Sequence, residues 1–149
     1  MRVVLQRVKN CQVTVSGKIS GEIGAGILTF LGIGPEDSNE DVRYLVKKTA
    51  HLRIFPDDTG KMNLSLLDIG GGMLIVSQFT LYGDCRKGRR PSFTGAAPPE
   101  KAEMLYHAFV EEVEKLGIKA STGTFGAMMD VNLVNDGPVT LLLDSKGAF

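Results

Sequence analysis

The chain has 149 residues, 43% hydrophobic and 23% charged, which is globular composition and enough length to bury roughly 70% of the unfolded surface without a covalent staple. Seventeen basic and seventeen acidic residues cancel, so no global basic field exists and any contact with nucleic acid has to be local. Two cysteines, Cys11 and Cys85, are too few for a disulfide framework and lack zinc-site spacing, and no apolar run is long enough to span a bilayer; a metal-free chain in the cytoplasm, with no membrane, is the simplest expectation.

Residues 2–8 and 11–15 alternate apolar and polar side chains and read as two β-segments, not as a signal peptide. Ser16-Gly17 marks a turn, residues 18–23 a returning strand, and residues 27–33 a buried strand that Gly34-Pro35 breaks. Asp37 and Ser38 are both N-cap candidates for a helix running to about His51, with Val42, Leu45, Val46, Thr49 and Ala50 along one stripe. Residues 53–55 read as a short strand, residues 56–60 as a turn, and residues 73–79 as a second buried strand. Pro98-Pro99-Glu100 starts a second helix and Gly117 stops it; Ala102, Leu105, Tyr106, Phe109, Val110, Val113 and Leu116 form its apolar face. Residues 118–120, 129–134 and 139–143 read as strands. Strands outnumber helices and several are joined by hairpin-length turns. The pattern favours one α+β domain over residues 1–149, with largely antiparallel sheets and two main helices, not a doubly wound fold.

Common nucleotide and metalloprotease motifs are absent: there is no P-loop, no dinucleotide fingerprint and no HExxH. His51 and His107 fall inside predicted helices, where a surface or packed histidine is the ordinary reading, so no nucleophile–histidine pair is visible. Cys85 precedes Arg86, Lys87, Arg89 and Arg90; that positive charge could activate the thiol, and the plain alternative is an exposed loop cysteine. The same four cations in five residues can neutralise several phosphates or simply form a solvated loop. Just upstream, Ser77-Gln78-Phe79-Thr80 closes an apolar strand with two hydroxyls and an amide. Main-chain amides there could hold a substrate carbonyl, but pattern alone favours ordinary β alternation. In Asn135-Asp136-Gly137-Pro138, Asp-Gly suggests a tight hairpin turn, yet the proline removes a donor where the returning strand should pair. A Gly-Pro bond also has access to the cis form.

Taken together, Ser77-Gln78-Phe79-Thr80-Leu81, the run from Arg86 through Arg90 with Pro91-Ser92-Phe93, and Asn135-Asp136-Gly137-Pro138-Val139-Thr140 resemble the D-aminoacyl-tRNA deacylase family, as does the opening Met1-Arg2-Val3-Val4-Leu5-Gln6-Arg7-Val8. The likeness runs the full length, and the two motifs in this order, about 60 residues apart, are far more specific than either alone. The resemblance implies barrel-like packing and a homodimer acting on the aminoacylated 3′ end of tRNA, with no cofactor. It implies a cis Gly137-Pro138 bond that reaches from one subunit into the partner's site, where two carbonyls reject L side chains; achiral glycine, hence glycyl-tRNA, should pass. Ser77, Gln78, Phe79 and Thr80 would form the catalytic floor, with Ala102, Phe125 and Met129 lining the adenosine pocket. Arg86, Lys87, Arg89 and Arg90 would lie beside acceptor-stem phosphates. The chemistry implied is ester hydrolysis by positioning and oxyanion stabilisation, with the ribose 2′-hydroxyl assisting the water. Its rivals are Thr80 as a covalent nucleophile, a general esterase using Thr80 or Cys85, and a non-catalytic RNA-binding module using the basic loop.

Overall fold

The computed structural model describes residues 1–148 and begins with one long strand, β1 (Arg2–Val15), where the sequence pattern reads as two segments. A bulge explains the discrepancy. Val3 and Leu5 face one side, whereas Val8, Cys11 and Val13 face the other, and the pairing slips between Val8 and Asn10. One extra residue inverts the alternation, so a single strand serves two different apolar layers.

β2 (Lys18–Ile23) and β3 (Gly26–Gly32) both pair antiparallel with β1, β3 on its first half and β2 on its second. The opposite edge of β1 is taken by β8 (Asp130–Asp144), also antiparallel. β3 then pairs in parallel with β6 (Gly72–Ser77), and β6 in parallel with β7 (Lys119–Thr122). β7 approaches β2 without a shared ladder: Ser20 Oγ donates to the Thr122 carbonyl at 3.3 Å and Ser121 Oγ to the Glu22 carbonyl at 2.9 Å. Gly21 permits that approach, since a Cβ there would lie 2.3 Å from the Thr122 oxygen. The sheet is therefore nearly a closed barrel. Its interior holds Val8, Cys11, Val13, Ile23, Leu28, Leu74 and Val76, and burial there pushes the Cys11 thiol up to about 12.

A second apolar cluster lies between the outer face of the sheet and the helices. Val42, Leu45, Val46 and Ala50 of α1 (Asn39–His51) and Leu105, Tyr106, Phe109 and Val113 of α3 (Pro99–Lys115) meet Val3, Leu5, Ile27 and Ile75 there. Both stripes follow the predicted periodicity, except that Leu116, expected on the apolar face of α3, caps the helix and is exposed. Ser38 is the N-cap, in a capping box with Asp41. Asp37 is instead buried, accepting from the Met1 ammonium at 2.5 Å, the Gly34 amide at 2.7 Å and the Tyr82 hydroxyl at 3.3 Å. Residues 53–55 give only the start of a two-stranded ladder, β4 (Phe55–Pro56) with β5 (Met62–Leu64), and a one-turn helix α2 (Leu66–Ile69) follows unannounced by any long apolar period.

The largest departure from the pattern concerns Asn135 to Pro138. The chain does not reverse there. Residues 130–135 and 140–144 all pair with β1, and residues 136–139 leave the ladder opposite the single residue Arg7. Asp-Gly makes a hairpin only if its flanking strands pair with each other; here a third strand has claimed both.

Candidate active site

β3, β6 and β7 run parallel, so their carboxyl ends open at the same edge, the place where open sheets leave room for a ligand. β6 stops at Ser77. Gln78 donates one last ladder bond to the Leu31 carbonyl at 2.8 Å, then turns at φ −146° and ψ 78° into a 3-10 turn over Phe79–Tyr82. The expected β alternation through Phe79 therefore ends two residues early. The turn is held from behind: Arg2 Nη1 donates to the Leu81 carbonyl at 2.8 Å, and the Arg2 guanidinium lies 4.4 Å over the Tyr82 ring, whose hydroxyl reaches buried Asp37. Ser77 and Gln78 are half-buried, and Phe79 and Thr80 are exposed. Gln78 Nε2 donates to Thr80 Oγ1 at 2.5 Å, leaving the Thr80 hydroxyl its own proton to give. Among the described residues the Phe79 and Thr80 amides have no acceptor, as befits the first donors of a helical turn.

Just before this turn, β6 meets distant parts of the chain. The Ile75 carbonyl accepts from the Tyr106 hydroxyl at 2.9 Å and from the Gly123 amide at 3.1 Å, which ties α3 and the end of β7 to β6. Phe125 tilts against the Tyr106 ring at 5.7 Å. Ala102 lies one helical turn before Tyr106, half-buried against the same cluster. Met129 packs at the mouth of the barrel, its sulfur where a Cβ on Gly123 would lie 2.5 Å away. Ser77, Gln78, Phe79 and Thr80 thus lie at the carboxyl end of β6, while Ala102 and Phe125 pack against the helix-side cluster and Met129 against the barrel interior.

Gly137 and Pro138 lie apart from the turn. Their peptide bond is cis, and both residues are exposed on the bulge of β8. The bulge sits opposite Arg7 of β1, whereas the turn sits beside Arg2. Those positions are five residue steps apart along the strand, about 16 Å at the usual rise. Arg7 is the residue that motif reading missed. Only 8% exposed, it donates from Nε to the Asp136 carbonyl at 2.8 Å and from Nη1 to the Ile54 carbonyl at 2.5 Å, and pairs with the Asp136 carboxylate at 3.4 Å. A signal existed: Arg7 follows Val3 and Leu5 at period two, so a cation stands where alternation calls for an inward apolar side chain. Gly137, at φ +138°, fits beneath it; a Cβ there would be 2.9 Å from Arg7 Nη2.

The basic run forms a loop closed at its base by two hydrogen bonds between Asp84 and Ser92, at 2.8 and 3.0 Å. Arg86 is folded back onto Asp84, with Nε 2.9 Å and Nη2 2.7 Å from its two oxygens, and holds that carboxyl well below its usual range. Lys87, Arg89 and Arg90 are exposed, with no ion pair among the described residues. So is Cys85 exposed. His51 Nδ1 meets its own helix at the Lys47 carbonyl, 2.8 Å away, and exposed His107 stands 4.0 Å from Glu103. No group of three or more His, Cys, Asp or Glu side chains among the described residues is arranged to hold a metal ion.

A family model described as D-Tyr-tRNA(Tyr) deacylase matches residues 4–144. The chain belongs to this family. It is 66% identical over 146 residues to a D-aminoacyl-tRNA deacylase of Desulfatibacillum aliphaticivorans, covering 98% of this chain and 100% of the relative. It is 60% identical over 149 residues to that of Syntrophobacter fumaroxidans, covering both chains completely. A solved structure of a c-Myc DNA unwinding element binding protein superimposes with a TM-score of 0.90 at 41% identity, over 97% of this chain and 98% of the other. That of a probable eukaryotic D-amino acid tRNA deacylase shares the fold, with a TM-score of 0.83 at 21% identity over 95% and 97% of the two chains. The matched span of the D-Tyr-tRNA(Tyr) deacylase model takes in the turn, the basic loop, Ala102, Phe125, Met129, Arg7 and the bulge together.

Proposed function

We propose that residues 1–149 act as one D-aminoacyl-tRNA deacylase domain, hydrolysing the ester between a D-amino acid and the terminal ribose of tRNA. The observation that carries this reading is the turn at the end of β6, where the Phe79 and Thr80 amides stand without acceptors among the described residues at the carboxyl end of a strand. As water adds to the ester carbonyl, its oxygen becomes an oxyanion, and amides already fixed in place stabilise that charge without reorganising. The terminal adenosine lies against Ala102, Phe125 and Met129, with Ser77 and Gln78 completing the floor. The substrate's 2′-hydroxyl takes part in activating the water. The carbon–oxygen bond to the ribose then breaks, and the proton from the water passes to the departing ribose oxygen. Thr80 acts through its amide and its hydrogen bond to Gln78.

Chirality comes from Gly137 and Pro138 of a second copy of the chain. The separation of about 16 Å along β1 supports this part of the reading, because a bulge so far from its own turn is free to serve another molecule's. Two carbonyls side by side near the substrate α-carbon exclude an L side chain, leave a D side chain room and pass glycine, so glycyl-tRNA is a further substrate. Lys87, Arg89 and Arg90 contact acceptor-stem phosphates, and the homodimer works in the cytoplasm. A deacylation time course on D-tyrosyl-tRNA and L-tyrosyl-tRNA at low enzyme concentration tests the reading. Release from the D form alone is expected. Equal release would mean a general esterase, and no release an RNA-binding module.

A further inference from the structure

Phe79 and Phe93 are exposed to 58% and 39%, although they touch each other. Their rings meet edge to face, with centroids 5.1 Å apart and planes at 71°. An isolated exposed phenylalanine needs no explanation, but two in contact form an apolar surface that the fold leaves uncovered. Their placement is set by the backbone. Phe79 opens the turn after β6, and Phe93 lies against the end of that turn, where a Cβ on Gly83 would be 3.0 Å from its Cε1. Phe93 also directly follows Ser92, the closing residue of the loop that carries Lys87, Arg89 and Arg90. With Arg86 paired to Asp84, those three cations remain for an anionic partner. The aromatic pair therefore stands between the candidate ester site and three available positive charges.

Aromatic rings beside unpaired cations suit single-stranded nucleic acid, because bases stack on the rings while phosphates meet the charges. A tRNA presents this chemistry at its unpaired 3′ end. Resting on the deacylase reading above, we propose that Phe93, braced by Phe79, is a stacking platform for the base of the nucleotide that precedes the terminal adenosine. The platform holds the strand between the Phe79–Thr80 turn and the cationic loop. Stacking on a phenylalanine face uses the π-face that every base carries and requires no hydrogen-bond readout.

A double-mutant cycle tests this, pairing Phe93→Leu with D-tyrosyl-tRNA that lacks the penultimate base. Leucine keeps an apolar side chain against Gly83 and removes the ring face. Each change alone should lower kcat/KM about 10- to 100-fold, through KM, and the two together should cost no more than either alone. Phe93→Tyr should restore wild-type values. Losses that multiply would overturn the platform, as would a Phe93→Leu defect confined to kcat, which would mark Phe93 as a support for the turn. No release from intact D-tyrosyl-tRNA by the wild-type enzyme would remove the deacylase reading itself, and the platform with it. Wild-type activity with no response to the missing base would remove the platform alone.

Discussion

The turn after β6 and the bulge in β8 both lift main-chain groups out of a ladder, but they are secured differently. The turn is held on several sides: Arg2 and Asp37 secure it from behind, and Phe93 packs against Phe79. The bulge is held by the buried guanidinium of Arg7 and by Asn135, whose Oδ1 accepts from the Val139 amide at 2.7 Å, and its Gly137 and Pro138 lie exposed. The first is braced by side chains of its own chain. The second stands exposed, well along β1 from that turn, which is why we assign the chiral filter to a second copy.

The sharpest way to break this contrast is Gly137→Ala. The added Cβ would meet Arg7 Nη2 and Val139 Cγ2, each at 2.9 Å, on a backbone at φ +138° that disfavours any side chain. Rearranging the projection should lower D-aminoacyl-tRNA deacylation about 100-fold in single-turnover assays. Arg7→Leu attacks the anchor instead. It strands the Asp136 and Ile54 carbonyls, and urea titration should show a loss of about 2–4 kcal/mol. Replacing Lys87, Arg89 and Arg90 together by glutamine should lower kcat/KM about tenfold at moderate salt and flatten its log–log salt dependence by about 2 to 3. Arg86→Gln should flatten it far less, because Asp84 already neutralises that charge. At the turn, Thr80→Ala removes a hydroxyl and keeps the amide, so deacylation should fall less than about tenfold; a trapped acyl-Thr80 would reverse that assignment.

The smallest effect concerns pH near neutrality, where stability should be flat. Burial raises the Cys11 thiol from 9.0 and the Tyr106 phenol from 10.0, each to about 12. The folded state thus binds these protons more tightly than the unfolded chain. Their contribution is whole below about pH 9 and is lost as pH rises from there to about 12. On the alkaline side thermal melts should decline in that window, and Cys11→Val should remove the thiol's share.

The two helix stripes, the buried strand over 27–33, the one predicted over 73–79 as far as Ser77, and the stop at Gly117 were legible because their signals are local: apolar periods and caps are written within a few residues. The motif residues Ser77 to Thr80 and Gly137-Pro138 were legible as candidates by resemblance, and Arg7 only as an odd cation in an apolar alternation. The same sequence could not tell a hairpin at Asn135 to Pro138 from a bulge, since that choice depends on whether β1 accepts both flanking segments. Nor could it show that Arg86 is tied to Asp84 while Lys87, Arg89 and Arg90 are not. By itself, then, the sequence determined which segments could bury an apolar face and which residue types stood at hand for chemistry. Only the tertiary structure decided which of them meet, because strand pairing, bulges and ion pairs join residues far apart in the chain, and their energies exist only once those residues are brought together.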